Sequence, residues 1–234
     1  MRTLLAISLS AAAVTSPVLA EKLPVVVELF TSQGCSSCPP ADAMMGELAQ
    51  MDGVIALSLH VDYWDYIGWP DSFASPDNTA RQEAYARAVG ERMVYTPQMV
   101  MNGQERVIGG DAMAVMEGLH AHADGTTPVA LTLTREGDTL RIEARLEAGA
   151  DVAMPPLTVH LVRYAPSRTV AIEQGENAGL TVEYRNVVTD WQVVGTWSGE
   201  GELSMSAAAP GDEPLVVLLQ EEGPGRIMAA KVAP

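Results

Sequence analysis

Glu28-Leu29-Phe30-Thr31-Ser32-Gln33-Gly34-Cys35-Ser36-Ser37-Cys38-Pro39-Pro40-Ala41-Asp42 holds both cysteines of this 234-residue chain, separated by two serines. The β-branched run Val25-Val26-Val27 leads into it, as a strand buried on both faces would. Ala41, Met44, Met45 and Leu48 follow at i, i+3, i+4 and i+7, which predicts a helix that Asp52-Gly53 ends. Val54-Ile55-Ala56-Leu57-Ser58-Leu59-His60 then reads as a second strand. Strand, helix, strand is a βαβ unit, with parallel pairing and a right-handed crossover.

Further out, Val61 to Ser75 lacks periodicity but carries Tyr63, Trp64, Tyr66, Trp69 and Phe73. A loop of that length is usually functional or disordered, and its aromatics argue against disorder. Ser75-Pro76-Asp77-Asn78 supplies a helix cap with proline at the first helical position. Ala80, Ala84, Tyr85, Ala88 and Val89 give that helix one apolar face, and Gly90 stops it. Val94–Met101 and Glu105–Ile108 flank Asn102-Gly103, a strong hairpin signal. Asp111 caps a third helix with Ala112, Val115, Met116 and Leu119 on one face.

The pattern changes after His120-Ala121-His122-Ala123-Asp124-Gly125. Alternation of period two dominates from Pro128 on, over Val129–Thr134, Leu140–Leu146, Leu157–Tyr164, Thr169–Glu173, Leu180–Val188, Trp191–Trp197, Leu215–Gln220 and Ile227–Val232. Short strands with turn signals at this spacing suggest a β-sandwich or small barrel. Two domains are therefore expected, 21–125 and 126–234, behind a leader over 1–20.

The leader reads as a secretory signal: Arg2, a mostly apolar run from Leu4 to Val14, and the small-residue pattern Val18-Leu19-Ala20. The alternative is a membrane-anchoring helix, against which the run is short and serine-containing. The expectation is a secreted or periplasmic protein with no membrane insertion once the leader is removed. Removal of Arg2 leaves 13 basic against 30 acidic residues, a charge of 13 − 30 = −17, which repels nucleic acid and anionic membranes.

Cys-x-x-Cys ahead of a helix suits thiol chemistry, because unpaired N–H groups there stabilise a thiolate, the species that attacks disulfides. Cys35 is the expected nucleophile and Cys38 the resolving thiol. Pro39-Pro40 disfavours helical geometry at Cys38 and delays the regular helix, which weakens the dipole's hold on Cys35. Two other readings stay open. A plain staple would close only a very short loop and so remove little unfolded-chain entropy. A two-cysteine metal site would need His60 or methionines as further ligands. No cofactor and no metal ligand set is assigned.

Val27-Glu28-Leu29-Phe30, the Cys35–Cys38 pair and Thr96-Pro97 together resemble a thioredoxin fold. More narrowly, Glu28–Asp42, His60-Val61-Asp62-Tyr63-Trp64-Asp65 and Tyr95-Thr96-Pro97-Gln98 resemble a secreted bacterial thioredoxin-like family catalogued as a domain of unknown function (DUF twelve twenty-three). Gly175-Glu176-Asn177-Ala178-Gly179 and Tyr184–Val188 resemble that family's second half. The resemblance implies α/β plus all-β: an N-terminal thioredoxin-like domain followed by a C-terminal β-sandwich-like domain. It also implies a cis Thr96–Pro97 bond facing the cysteines, with Thr96 and Pro97 holding a substrate backbone. Glu28 resembles the buried acid below such cysteines, a proton relay for Cys38, or else simply bonds a neighbour or reaches solvent. Trp64, Tyr66 and Trp69 either form a substrate-binding wall or pack into the core. His60 is read first as a structural hydrogen-bonder.

The expected function is thiol–disulfide exchange with cysteine-containing exported proteins or a redox partner. The rival is a non-enzymatic partner-binding or metal-handling module whose cysteine pair is a structural or regulatory disulfide.

Overall fold

The computed structural model describes residues 21–147 and 153–234, so the leader expected over 1–20 lies outside the described residues. Strand β1 (Glu21–Lys22) precedes β2 (Val25–Thr31), which is buried along its whole length. Helix α1 (Pro39–Leu48) starts at the first proline, where a missing N–H costs nothing, and β3 (Val54–His60) lies parallel to β2 from Val25↔Val54 to Thr31↔His60. A 3-10 turn (Asp65–Ile67) breaks the aromatic loop. Ser75 caps α2 (Pro76–Ala88) by accepting from the Asp77 N–H, and Asp111 caps α3 (Ala112–Ala123) by accepting from Met113 and Ala114. Between these helices, β4 (Gln98–Met101) and β5 (Glu105–Ile108) form the Asn102-Gly103 hairpin. Asn102 and Gly103 have φ of 48° and 69°, and a Cβ on Gly103 would lie 2.1 Å from the Gly225 carbonyl, so the turn requires glycine.

The remaining strands are β6 (Thr126–Thr127), β7 (Val129–Glu136), β8 (Thr139–Leu146), β9 (Leu157–Ala171), β10 (Thr181–Trp197), β11 (Leu203–Ala208), β12 (Leu215–Glu221) and β13 (Ile227–Val232). Four expected short strands are thus two long ones, β9 and β10. The β9–β10 ladder runs through the gaps left between those expected strands and absorbs its irregularity in register shifts between Val188 and Asp190 and between Val193 and Gly195.

The expected fold class, a thioredoxin-like domain followed by a separate β-sandwich-like domain, is overturned by the main sheet. The described residues are mostly β, and eight strands form one mixed sheet of order β13-β12-β9-β10-β3-β2-β4-β5. β3 is a near-continuous apolar run and would leave a bare edge if only β2 flanked it. β10 covers that edge in parallel, with Val187 opposite Ser58. Polar side chains fasten the seam: Ser58 Oγ donates to the Arg185 carbonyl at 2.8 Å, and Asn186 Nδ2 donates to the Ala56 carbonyl at 2.9 Å.

The core follows the same continuity. On one face Phe30, Leu57 and Leu59 cluster with Val162, Val216 and Leu218, together with Tyr85 of α2. On the opposite face Val25, Val27 and Leu29 pack against Ala41, Met45 and Leu48 of α1 and Val115 and Leu119 of α3. Further along, the antiparallel sheet β11-β8-β7 packs through Leu131, Leu140 and Ile142 against Val159, Val217 and Leu219. Strand parity therefore decides which residues can meet the cysteine helix.

Candidate functional site

Between β2 and α1 the chain makes two tight turns, Cys35 N–H to the Ser32 carbonyl and Cys38 N–H to the Cys35 carbonyl, each 3.1 Å. The two prolines place Cys38 at the helix cap, where its carbonyl accepts from the Ala41 and Asp42 N–H groups. Cys35 and Cys38 form a disulfide with Cα atoms 5.4 Å apart. Both cysteines are 0% exposed, while Ser36 and Ser37 between them are exposed.

Three segments hold this loop. Ser37 Oγ lies 3.4 Å from Cys35 Sγ and from the Thr96 carbonyl, and the Thr96–Pro97 bond is cis. Trp64 Nε1 donates to Thr96 Oγ1 at 2.7 Å, and a Cβ added at Gly34 would stand 3.3 Å from the Trp64 Cβ and 3.1 Å from Ile67 Cδ1. Gln33, fully buried, donates its N–H to Asp71 Oδ2 at 2.8 Å and accepts from Trp69 Nε1 at 2.8 Å. From the distant β9–β10 turn, Asn177 Nδ2 donates to the carbonyls of Gln33 and Cys35, both at 2.9 Å.

One helical turn past Cys38, Asp42 is buried and accepts from Thr31 Oγ1 at 2.7 Å. Burial, opposed by nearby His60 and by the Thr31 bond, pushes the Asp42 carboxyl up to about 7. His60 Nδ1 meets Asp71 Oδ2 at 2.6 Å, and its Nε2 is buried without a hydrogen-bond partner among the described residues. The rings of Tyr184 and Phe73 stand edge-on to His60, at 4.8 and 5.3 Å. Asp71 therefore joins the cysteine loop, through Gln33, to a buried histidine.

Among the expected site residues, Cys35, Cys38, Thr96, Pro97, Trp64 and Trp69 come together. Tyr66 does not join them and is 82% exposed. Glu28 faces the other way, sharing the parity of Val26 and Phe30 toward α2. There it makes a bidentate pair with Arg81, at 2.5 and 2.9 Å, and accepts from the Tyr85 hydroxyl at 2.6 Å. Asp42, Gln33, Asp71 and Asn177 carried no expected role. Asp42 left a signal, a carboxylate in the apolar stripe of Ala41, Met45 and Leu48. Asn177 lay in the stretch Gly175–Gly179, which by itself read as a turn, because its partners are distant in sequence.

Residues 26–220 match a family described as protein of unknown function (DUF1223). The crystal structure of protein AGR_C_4864 from Agrobacterium tumefaciens is similar, with 34% identity and a TM-score of 0.76 over 92% of this chain and 96% of that one. HBP35 of Porphyromonas gingivalis is similar in fold, with 16% identity and a TM-score of 0.59 over 90% of this chain and 74% of that one. Comparison with curated proteins gives no match.

Proposed function

We propose that this chain, which belongs to the family described as protein of unknown function (DUF1223), is an exported thiol–disulfide oxidoreductase acting on cysteine-containing proteins of its compartment. The observation that carries the reading is the Cys35–Cys38 disulfide at the head of α1, with the Thr96 backbone on one side and buried Asp42 one turn away. Export is supported by the leader-like first residues and by a disulfide, which persists in oxidising compartments. Among the described residues no helix is long and apolar enough to cross a membrane.

In the exchange, a substrate thiolate attacks Cys35 Sγ, forming a mixed disulfide and expelling Cys38 as a thiolate. A carboxyl held near 7 is protonated in part at neutral pH and supplies the proton for that leaving thiolate. The second substrate thiolate then attacks the substrate's own sulfur, closes its disulfide and releases Cys35. The substrate loses two electrons and the protein pair gains two; the reverse sequence reduces a substrate disulfide. A second disulfide or dithiol of the compartment restores the starting state. Trp64 and Trp69 hold the loop and Thr96 and Pro97 border it, so these four are the groups an incoming polypeptide meets.

The test is trapping. Cys38→Ala incubated with insulin accumulates a covalent adduct that dithiothreitol releases, whereas Cys35→Ala accumulates none. Absence of an adduct with either variant, and no insulin reduction by the unaltered protein, contradicts the reading. Complete burial of both cysteines favours the rival, a partner-binding module stapled by an inert disulfide, and that outcome would select it.

A further inference from the structure

The β9–β10 arm ends in a turn that folds on itself. Ile172 N–H bonds the Leu180 carbonyl at 2.9 Å, Gly179 N–H bonds the Ile172 carbonyl at 2.8 Å, and Leu180 N–H bonds the Asn177 carbonyl at 3.1 Å. Ile172 is buried, so the root of the turn is anchored while Glu173 to Glu176 at its tip are exposed. Its contact with the cysteine loop is narrow. Gly175 lies against Trp69, where an added Cβ would stand 3.4 Å from the Trp69 Cβ, and Asn177 supplies the two hydrogen bonds to Gln33 and Cys35. An asparagine amide has two hydrogens to donate, and both are spent on carbonyls flanking Gly34.

Thiol–disulfide exchange needs the attacking sulfur in line with the S–S bond, beyond the sulfur attacked. Cys35 is 0% exposed, so part of its cover must move before any partner reaches it. Trp64 and Thr96 are bonded to each other, and Thr96 precedes β4 in the main sheet. Among the described residues, the hydrogen bonds that hold the tip of the arm to the loop come from one side chain, Asn177.

We infer that Asn177 is the latch of this arm and a specificity-determining residue of the proposed exchange. This inference rests on the oxidoreductase reading above. Latched, the arm admits small thiols to Cys35 by local breathing and excludes polypeptides. Released, it admits both. Asn177 touches the backbone of Cys35 and takes no part in the sulfur chemistry, so it governs access and leaves the redox equilibrium alone.

The experiment compares the oxidised full chain with Asn177→Ala and Asn177→Ser, the latter keeping one donor. Reduction rates are measured with dithiothreitol and with reduced, unfolded ribonuclease, and the equilibrium with glutathione is measured for each protein. Loss of both bonds is expected to raise the ribonuclease rate by roughly tenfold and the dithiothreitol rate by less than about threefold. Asn177→Ser is expected between the two, and the glutathione equilibrium stays the same in all three. Unchanged rates, equal acceleration for both reductants, or a glutathione equilibrium that shifts with the rates would each overturn the latch. If the unaltered protein exchanges with ribonuclease and the variants match it, only the latch fails. If dithiothreitol reduces every protein and ribonuclease none, the oxidoreductase reading and the latch fail together.

Discussion

Thr31 donates its hydroxyl to Asp42 at 2.7 Å on the face of the main sheet that carries the cysteine helix. Glu28, three residues earlier in the same strand, lies on the other face. Side chains alternate along a strand, so an odd step of three residues separates the hydroxyl that bonds the Asp42 carboxyl from a carboxyl committed to Arg81.

The raised Asp42 carboxyl gives stability a definite pH dependence. Its folded pKa, about 7, lies above the usual 3.8, so the folded chain keeps a proton that the unfolded chain has lost. The favourable contribution is complete below about pH 4 and is lost as pH rises through 7, at a total cost of about 4 kcal/mol. Asp42→Asn keeps the acceptor for Thr31 and removes the charge. Urea unfolding is expected to show the variant gaining stability relative to the unaltered protein from pH 4 to pH 8. A difference that is flat with pH would contradict the assignment.

Arg81 and Glu28 make the opposite prediction for the other face. Their side chains are 11% and 0% exposed, and removing one partner strands a buried charge. Arg81→Met is expected to cost about 3–5 kcal/mol in urea unfolding, much of it recovered in Arg81→Met/Glu28→Gln. The exchange rate per folded molecule should be unaltered in the double variant. A large loss of exchange there would return Glu28 to the role of proton relay.

Trp64 and Tyr66 are neighbours in the aromatic loop with different duties. Trp64→Phe removes the bond to Thr96 and is expected to cost about 1 kcal/mol and to slow insulin reduction. Tyr66→Ala, at an 82% exposed position, is expected to change thermal stability by less than about 0.5 kcal/mol. Equal losses in the two variants would place Tyr66 in the loop's packing after all.

How much of this was legible depends on how local each signal is. Helical spacing after Cys38, the Pro39-Pro40 start, the Ser75 and Asp111 caps and the Asn102-Gly103 turn all act within a few residues, and each lies where the pattern put it. The pairing of β10 with β3 rests on Ser58 meeting the Arg185 carbonyl and Asn186 meeting the Ala56 carbonyl, 127 and 130 residues apart in sequence, which no local period encodes. The expected strands Leu157–Tyr164 and Thr169–Glu173, and Leu180–Val188 and Trp191–Trp197, read apart because their alternation lapses where the long ladder bulges. The face occupied by Glu28 could have been read from the parity of Val25, Val27 and Leu29, but only once α1 was known to cover those residues. Asn177 lay in a stretch that showed only a glycine-flanked turn.

The central claim is that Cys35 and Cys38 exchange with partner thiols rather than staple the loop, and their reduction potential tests it most directly. Equilibration of the full chain with glutathione buffers is expected to give a potential less negative than about −300 mV, the range of labile and catalytic disulfides. A value more negative than about −300 mV, with insulin left unreduced, would contradict it and make the pair a structural disulfide.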